Sequence, residues 1–485
     1  MCIAMSRLPY KWAVATVFVF GLFMDLLDMT ITNVALPTLA REFRAGTTTI
    51  EWVVTGYLLS LAVFIPVSGW AGDRFGTKRT FMFALGTFTF ASLLCSLAWN
   101  VESLIVFRVM QGVGGGMLTP VGTAMLFRAF PPEERARASA VLAIPTTVAP
   151  ASGPVLGGYL TEYWSWHWIF LVNVPIGLIG LLAAAILLRE ERQAQAGRLD
   201  LPGFLLGAPG LAALVYALAE AGQRGFDDRR VVVCGAAGLA LLAAFVLVEL
   251  RVSEPMIDVR LFRDRLFSAA NAVMVVGMAG FTGVLFLLPL LLQAERGLTP
   301  LQSGLATFPQ AFGVVLMMPL ASRFYARIGP RRMMMAAMAG AAVTTLAFRG
   351  VGLTTDLWWV RLIMLARGMT FALLLVPLQA ATFATIPPVA MGRASAAFNS
   401  IRQVAASFGV ALLATVLSNR MAHHGAQLGN PFTRAGALAA FHDAFIVGAL
   451  ISALAIPVCL LIDDRLAVRA REGAQVASEP LVTTH

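Results

Sequence analysis

A chain of 485 residues with 58% hydrophobic residues, only 13% charged ones and a mean hydropathy of +0.78 does not describe a soluble protein, since ordinary globular domains carry about 25% charged residues. The net charge of +10 would suit a nucleic-acid binder, but the basic residues sit in short clusters between apolar runs, which is topological bias and excludes that class. Cys2, Cys95, Cys234 and Cys459 are scattered and the five histidines lack ligand spacing, so neither a disulfide framework nor a metal site follows.

Fourteen apolar spans are predicted, at 12–36, 52–70, 80–99, 103–127, 138–160, 167–188, 201–219, 230–250, 267–293, 303–321, 332–348, 357–380, 395–417 and 442–462. Arg7 and Lys11 precede the first, but no small-residue cleavage site follows, so it reads as a retained helix. That span contains Asp25 and Asp28. A carboxylate near the bilayer centre costs at least about 2.5–3.5 kcal/mol, so it normally faces a bundle interior or a watery cavity. Three residues apart, the two share a helix face, and like charges at that spacing in low dielectric favour binding and releasing a proton. The plainer reading has both satisfied by neighbouring side chains. Asp28 is the stronger candidate for a transport role, with Asp25 adjusting or sharing it.

Glu51-Trp52 opens the second span; the tryptophan is an interfacial belt residue and Glu51 a further candidate for proton coupling. The loop after that span reads Gly69-Trp70-Ala71-Gly72-Asp73-Arg74-Phe75-Gly76-Thr77-Lys78-Arg79, a basic turn whose glycines allow close helix approach. The fourth span carries Arg108-Val109-Met110-Gln111-Gly112 followed by three more small-residue positions, and a cation inside an apolar span needs a partner acid from a neighbouring helix. The fifth carries Ala149-Pro150-Ala151-Ser152-Gly153-Pro154-Val155-Leu156-Gly157-Gly158, in which prolines kink and glycines let another helix pack close. Glu220 and Glu249 close spans seven and eight and are expected to be solvated. Met333-Met334-Met335 and Phe281, Phe286 and Phe308 are expected to pack rather than to bind ligand.

An internal repeat divides the chain. Pro131-Pro132 and Arg137-Ala138-Ser139-Ala140 recur as Pro387-Pro388 and Arg393-Ala394-Ser395-Ala396, all at an offset of 256, which also carries Gly112 onto Gly368. The plan is a six-helix bundle over 1–189, a linker with two extra membrane helices over 190–266, a second six-helix bundle over 267–465, and a tail over 466–485 expected to be disordered. An even span count puts both termini on one side. With that side cytoplasmic, inner segments hold 23 basic residues and outer loops 9, so both termini are expected inside.

The Gly69–Arg79 loop in this position resembles the signature loop of the major facilitator superfamily, and the Pro150–Gly158 stretch resembles the motif that marks its proton-driven exporters. With Asp28–Pro37, Trp166–Gly177 and fourteen spans, nearly the whole chain, from about Tyr10 to Asp464, is similar to the EmrB/QacA-type drug/proton antiporters. The resemblance implies an all-α membrane fold with a cytoplasmic gating loop of Gly69, Asp73, Arg74, Gly76, Lys78 and Arg79, and an antiporter helix motif of Pro150, Gly153, Pro154, Gly157 and Gly158. It also implies proton coupling through Asp28, Asp25, Arg108 and Glu51, with the proton as coupling ion and no other cofactor. Three departures stand out: His167 occupies a position usually held by arginine, Ala326 stands where the first copy has Asp73, and the later spans contain no interior acid. The last argues against divalent cations as cargo.

The expected function is export of lipophilic or amphipathic drugs across a bacterial inner membrane by alternating access. The rivals are a dedicated exporter of one metabolite, such as an antibiotic or siderophore, and a receptor or scaffold without turnover. An enzyme fits poorly, since no nucleophile–base constellation or phosphate loop is present. On a periplasmic adaptor as partner the residues are silent.

Overall fold

In hydrocarbon every backbone amide and carbonyl has to bond within its own segment, so the apolar stretches become helices. A computed structural model describes residues 9–45, 47–192, 199–252, 255 and 257–464, and every regular element among them is helical. Fourteen of the described helical segments are long and apolar enough to cross a membrane. The first six are α1 (Tyr10–Glu42), α2 (Thr47–Phe75), α3 (Thr77–Ser96), α4 (Val101–Ala129), α5 (Arg135–Tyr163) and α6 (Asn173–Leu187). Two more, α7 (Leu201–Arg224) and α8 (Arg229–Glu249), precede α9 (Arg265–Leu290), α10 (Pro309–Ile328), α11 (Pro330–Ala347), α12 (Leu357–Thr382), α13 (Met391–His423) and α14 (Arg434–Val458).

The helices overrun the predicted spans because polar flanks continue the same backbone ladder once the apolar stretch is spent; α1 and α13 reach 33 residues each. Breaks follow proline. A short helix, Pro300–Thr307, ends two residues before Pro309, which has no amide to continue the ladder. α9 passes Pro289 and widens into a π turn over Leu291–Glu295.

The repeat in the sequence is a repeat in packing. The pairs α1–α5, α2–α4, α3–α4 and α3–α6 of the first half recur as α9–α13, α10–α12, α11–α12 and α11–α14 in the second. The halves meet where α2 lies against α13 and where α5 lies against α10 and α12. α7 rests on α2 and α13, while α8 packs on α7 and turns most of its surface outward. The bundle end where α1 begins, where α2 passes into α3 and α12 into α13, is called the basal face below.

Two expectations need correction or limits. Glu249 is not solvated: it is fully buried at the foot of α8 and accepts the Ile257 amide. The chain returns across the helix end there, and the carboxylate replaces water for that amide. Glu220 is paired with Arg224 one turn on. The expected tail lies outside the described residues. Met333 and Met334 are buried and part of the core, as packing residues.

The glycines of α5 set the distance to α1. A methyl group at Gly153 would strike the Thr30 side chain and stand 3.1 Å from the Thr30 carbonyl carbon, and one at Gly157 would stand 3.3 Å from the Ile31 Cα. Gly153→Val is therefore expected to push α1 and α5 apart and destabilise the protein by about 1–3 kcal/mol, the usual range for overpacking. A fall in detergent melting temperature relative to Ala151→Val, measured on purified protein, would register it; equal melting would refute the close approach.

Candidate functional site

Asp28 lies in the middle of the first half and has no exposed surface. Four helices besides its own aim donors or supporting groups at it. Arg108 of α4 donates from Nη1 to Asp28 Oδ2 at 2.5 Å, Gln111 of α4 donates from Nε2 to Oδ1 at 2.9 Å, and Asn173 of α6 donates from Nδ2 to Oδ1 at 2.8 Å. Gln111 also donates to Ser92 Oγ of α3 at 2.6 Å. The guanidinium of Arg108 is itself held: Nε donates to the Val53 carbonyl of α2 at 3.1 Å, and the Tyr57 ring lies under it with 4.2 Å from Cζ to the centroid. Arg108 and Gln111 are three residues apart and so share one face of α4, which is why both reach the same carboxylate. An ion pair with this many hydrogen bonds is the geometry in which burial of two charges is compensated.

Asp25, one turn earlier on α1, is only 4% exposed but is held differently. Tyr57 donates its hydroxyl to Oδ1, and Thr119 of α4 donates to Oδ2 at 3.3 Å. No cation forms an ion pair with it among the described residues. Arg402 of α13, in the other half, lies within electrostatic reach of Asp25, and among the described residues its side chain makes no hydrogen bond or ion pair. Tyr57 thus touches both acids' systems, bonding Asp25 through its hydroxyl and supporting Arg108 through its ring.

The structure brings Asp25, Asp28 and Arg108 together, as the sequence suggests. Glu51 lies in the second turn of α2, but its side chain lies outside the described residues, as does that of Pro154. Pro150, Gly153, Gly157 and Gly158 form one stretch of α5; Gly153 and Gly157 face α1 just after Asp28, and Gly158 faces Leu301 of the second half.

The loop residues form a separate site at the basal face. Asp73 accepts from Arg128 Nη2 at 2.8 Å, and the Arg128 Nε donates to the Pro388 carbonyl of the second half at 3.1 Å. A Cβ at Gly69 would stand 2.8 Å from the Gly392 carbonyl oxygen, so the halves meet backbone to backbone there. Nearby Arg135 donates to the carbonyls of Phe383 and Ala384, and its burial lowers its pKa to about 10, which leaves it charged at neutral pH. Gly76 gives way to the first turn of α3, whose Lys78 and Arg79 amides are capped by Glu190. Lys78 Nζ donates to the Ala185 carbonyl at 2.6 Å, Arg79 pairs with Glu190 at 3.6 Å, and the Arg74 carbonyl accepts from Arg192 at 2.8 Å.

Sequence reasoning missed the neutral members: Tyr57, Ser92, Gln111 and Asn173, and the two arginines, Arg128 and Arg135, that reach the second half. Gln111 and Asn173 lie inside stretches that the motifs mark, and a count of the donors a buried Asp28 and its arginine require would have pointed to them; Arg128, just past the fourth span, carried no such signal.

The family described as the Major Facilitator Superfamily matches residues 18–410. Among relatives, a multidrug resistance protein B homolog of Mycobacterium tuberculosis is 40% identical over 414 residues, covering 84% of this chain and 76% of that protein. The MFS-type transporter YhcA of Bacillus subtilis is 34% identical over 413 residues, 85% of this chain and 77% of that one. Among solved structures, the human organic anion transporter MFSD10 (TETRAN) superposes with a TM-score of 0.67 over 93% of this chain and all of its own, at 17% identity, a likeness of fold. The chain belongs to the major facilitator superfamily.

Removing one partner of a buried ion pair leaves an uncompensated charge and typically costs about 3–5 kcal/mol, whereas replacing both with apolar groups is often near neutral. Arg108→Met is accordingly expected to lower the yield and melting temperature of folded protein sharply, and Asp28→Leu combined with Arg108→Met to recover part of the loss. Strict additivity of the two losses in a double-mutant cycle would contradict the pair.

Proposed function

We propose that the protein is a proton-driven antiporter of a bacterial inner membrane, exporting lipophilic or amphipathic compounds by alternating access of its two six-helix halves. The basal face is cytoplasmic on this reading, because its segments carry most of the arginine and lysine. The observation that carries the proposal is the unequal treatment of the two acids of α1. Charged and hydroxyl donors are divided so that Asp28 is fixed as the partner of Arg108, while Asp25 has hydroxyl donors only and the unpaired Arg402 of the opposite half in range.

From the sequence Asp28 ranks first as proton carrier; on this reading the role belongs to Asp25, which the donor pattern favours. A carboxylate with an arginine and two amides on it gains little from a proton, which would break the ion pair. Asp25 can take one without orphaning a cation in its own bundle. While Asp25 is charged it attracts Arg402 across the interface, and its protonation removes that attraction. A proton that favours one arrangement of the halves, and a substrate that favours the other, then compete for a single conformational equilibrium. Arg128 and Asp73, with the backbone contact at Gly69 and Gly392, latch the cytoplasmic side in the arrangement described above. The name of the Mycobacterium tuberculosis relative, a multidrug resistance protein B homolog, agrees with export of drugs.

Asp25→Asn retains the hydroxyl contacts and the shape but cannot titrate. In proteoliposomes with an imposed proton gradient and a panel of lipophilic fluorescent dyes, substrate-induced proton movement is expected to fall by roughly tenfold or more, the scale of a coupling energy of 1–3 kcal/mol. Dye binding and melting temperature are expected to persist. Full coupled export by this variant would sink the assignment and return the role to Asp28 or Glu51. Orientation is tested separately: on a cysteine-free background, Gly425→Cys is expected to react with an impermeant thiol reagent from outside intact cells and Arg263→Cys only from inside; the reverse pattern would overturn the topology.

A further inference from the structure

The linker helices do not seal against the bundle. Between α7 and α8 on one side and α9 and α13 on the other runs a groove of about 680 Å³. Ser400 is the one polar side chain among the described residues lining it. On α8 its wall is a stripe of Val232, Gly235, Leu239, Leu242 and Val246, recurring every three to four residues, with Val231 and Phe245 beside it. From Val232 to Val246 that stripe runs roughly 21 Å along the helix axis, at 1.5 Å per residue. One leaflet of hydrocarbon is only about 15 Å deep, half of a 30 Å core. The groove is therefore long and narrow, and Leu239 and Val232 leave it open to the surrounding bilayer at 60% and 54% exposure. Its volume sits within the roughly 300–1,000 Å³ range of small-molecule sites. An apolar void of this size next to lipid forfeits contacts on every wall unless something enters it.

What enters is indicated at the basal end. There the lining passes to Ile257, Val259 and Phe262, and the same short segment carries Arg251, Arg260, Arg263 and Arg265. Arg251, Arg263 and Arg265 are exposed and form no ion pair among the described residues. Among the described residues the acids beside them are committed elsewhere, Glu254 lying outside that set: Asp258 caps the Arg260 amide at 3.0 Å, Asp264 caps the Phe267 amide at 2.8 Å, and Glu249 is buried on the Ile257 amide. Cations on a chain segment at the hydrocarbon boundary, with an acyl-chain-shaped groove opening beside them, match the two parts of one molecule.

We propose that the basal part of the groove is a binding site for an anionic phospholipid of the basal-side leaflet, one acyl chain lying along the α8 stripe from Val246 to Leu239 and the phosphate headgroup on Arg263 and Arg265. The lipid completes the contact between the linker pair and α13, a helix that forms part of the interface between the halves. The site stands apart from the Asp25–Asp28 cluster and does not depend on the transport reading.

The full-length protein, purified in a mild detergent, is mixed with phosphatidylglycerol, phosphatidylcholine or inorganic phosphate, and retained lipid is counted by native mass spectrometry alongside melting temperature. One phosphatidylglycerol per chain is expected to remain bound and to raise the melting temperature, with phosphatidylcholine weaker and inorganic phosphate without effect. Arg263→Ser with Arg265→Ser is expected to weaken phosphatidylglycerol by roughly tenfold, the scale for two arginines at an anionic headgroup surface, and Leu239→Trp to displace it by filling the groove. Both variants leave buried contacts intact, so lipid-free melting should match the parent. Equal retention by parent and Leu239→Trp would overturn the chain's placement. Equal binding of both lipids, or an unchanged affinity in the arginine variant, would overturn the headgroup's. A stabilisation reproduced by phosphate alone would reduce the site to an anion patch, and displacement of the lipid by a transported dye at equal occupancy would make it a substrate vestibule; either rejects the proposal.

Discussion

The ion pair between Asp28 and Arg108 is the constraint on which the first half is built. Neither charge can be left alone in hydrocarbon, so each helix that touches the pair has to bring a donor, an acceptor or a ring. α1 supplies the acid, α4 the cation and Gln111, α2 the Val53 carbonyl and the Tyr57 ring, α3 the Ser92 hydroxyl and α6 the Asn173 amide. Five helices are thereby held at one point, with the α5 glycines seating α1 alongside. A low local dielectric strengthens such a network when it is complete and penalises it steeply when one member is missing.

The second half solves the same packing problem without a carboxylate. The offset of 256 carries Gln111 onto Arg367, and the offset of 253 from the loop motif carries Ser92 onto Thr345. Arg367 donates to Thr345 Oγ1 at 2.6 Å and to the Phe281 carbonyl at 3.1 Å, and lies over the Phe281 ring. These are α12, α11 and α9, the counterparts of α4, α3 and α1. Carbonyl and hydroxyl oxygens do there what an ion pair does in the first copy. The same substitution logic governs the basal latch. Asp73 corresponds to Ala326, and its partner Arg128 corresponds to Ala384. Both charges of the pair are gone together, which avoids leaving either one unpartnered.

Much of this was legible before any coordinate. Hydropathy gave fourteen helices because bilayer thickness is a stringent ruler, and the repeat gave the pseudo-symmetric pairing because copied sequence packs as copied structure. Charged residues in apolar spans announced themselves, Asp25, Asp28 and Arg108 in the first half and Arg361, Arg367 and Arg402 in the second. Neutral partners did not, since a Tyr, Ser or Asn in a helix is unremarkable until an acid is found within reach. Glu249 was misjudged for a related reason. A helix end is exposed by default, and only the return of the chain at Ile257 buries it, which is a tertiary fact. The unequal surroundings of two acids three residues apart are likewise invisible to spacing, because the face they share contains different neighbours at successive turns.

That inequality bears on how a single helix could serve both stability and coupling. A titrating group inside a membrane bundle has to lose its charge without costing the fold, and Asp28 cannot, because its proton would strand Arg108. Asp25 can, because its donors are a phenol and an alcohol that hydrogen-bond a carboxyl group in either protonation state. On the proposed mechanism the fixed pair therefore protects the working one: with Arg108 committed to Asp28, no cation within the first half competes for Asp25. The charge that responds to its protonation is then Arg402, on the far side of the interface, so the electrostatic change acts between the halves and not within one of them. A proton bound at a site buried in one rigid bundle would shift nothing, since it would see the same neighbours in both arrangements. Placing the free carboxylate one turn away from the paired one, on the same α1, is the smallest displacement that turns a structural charge into one whose surroundings depend on how the halves stand.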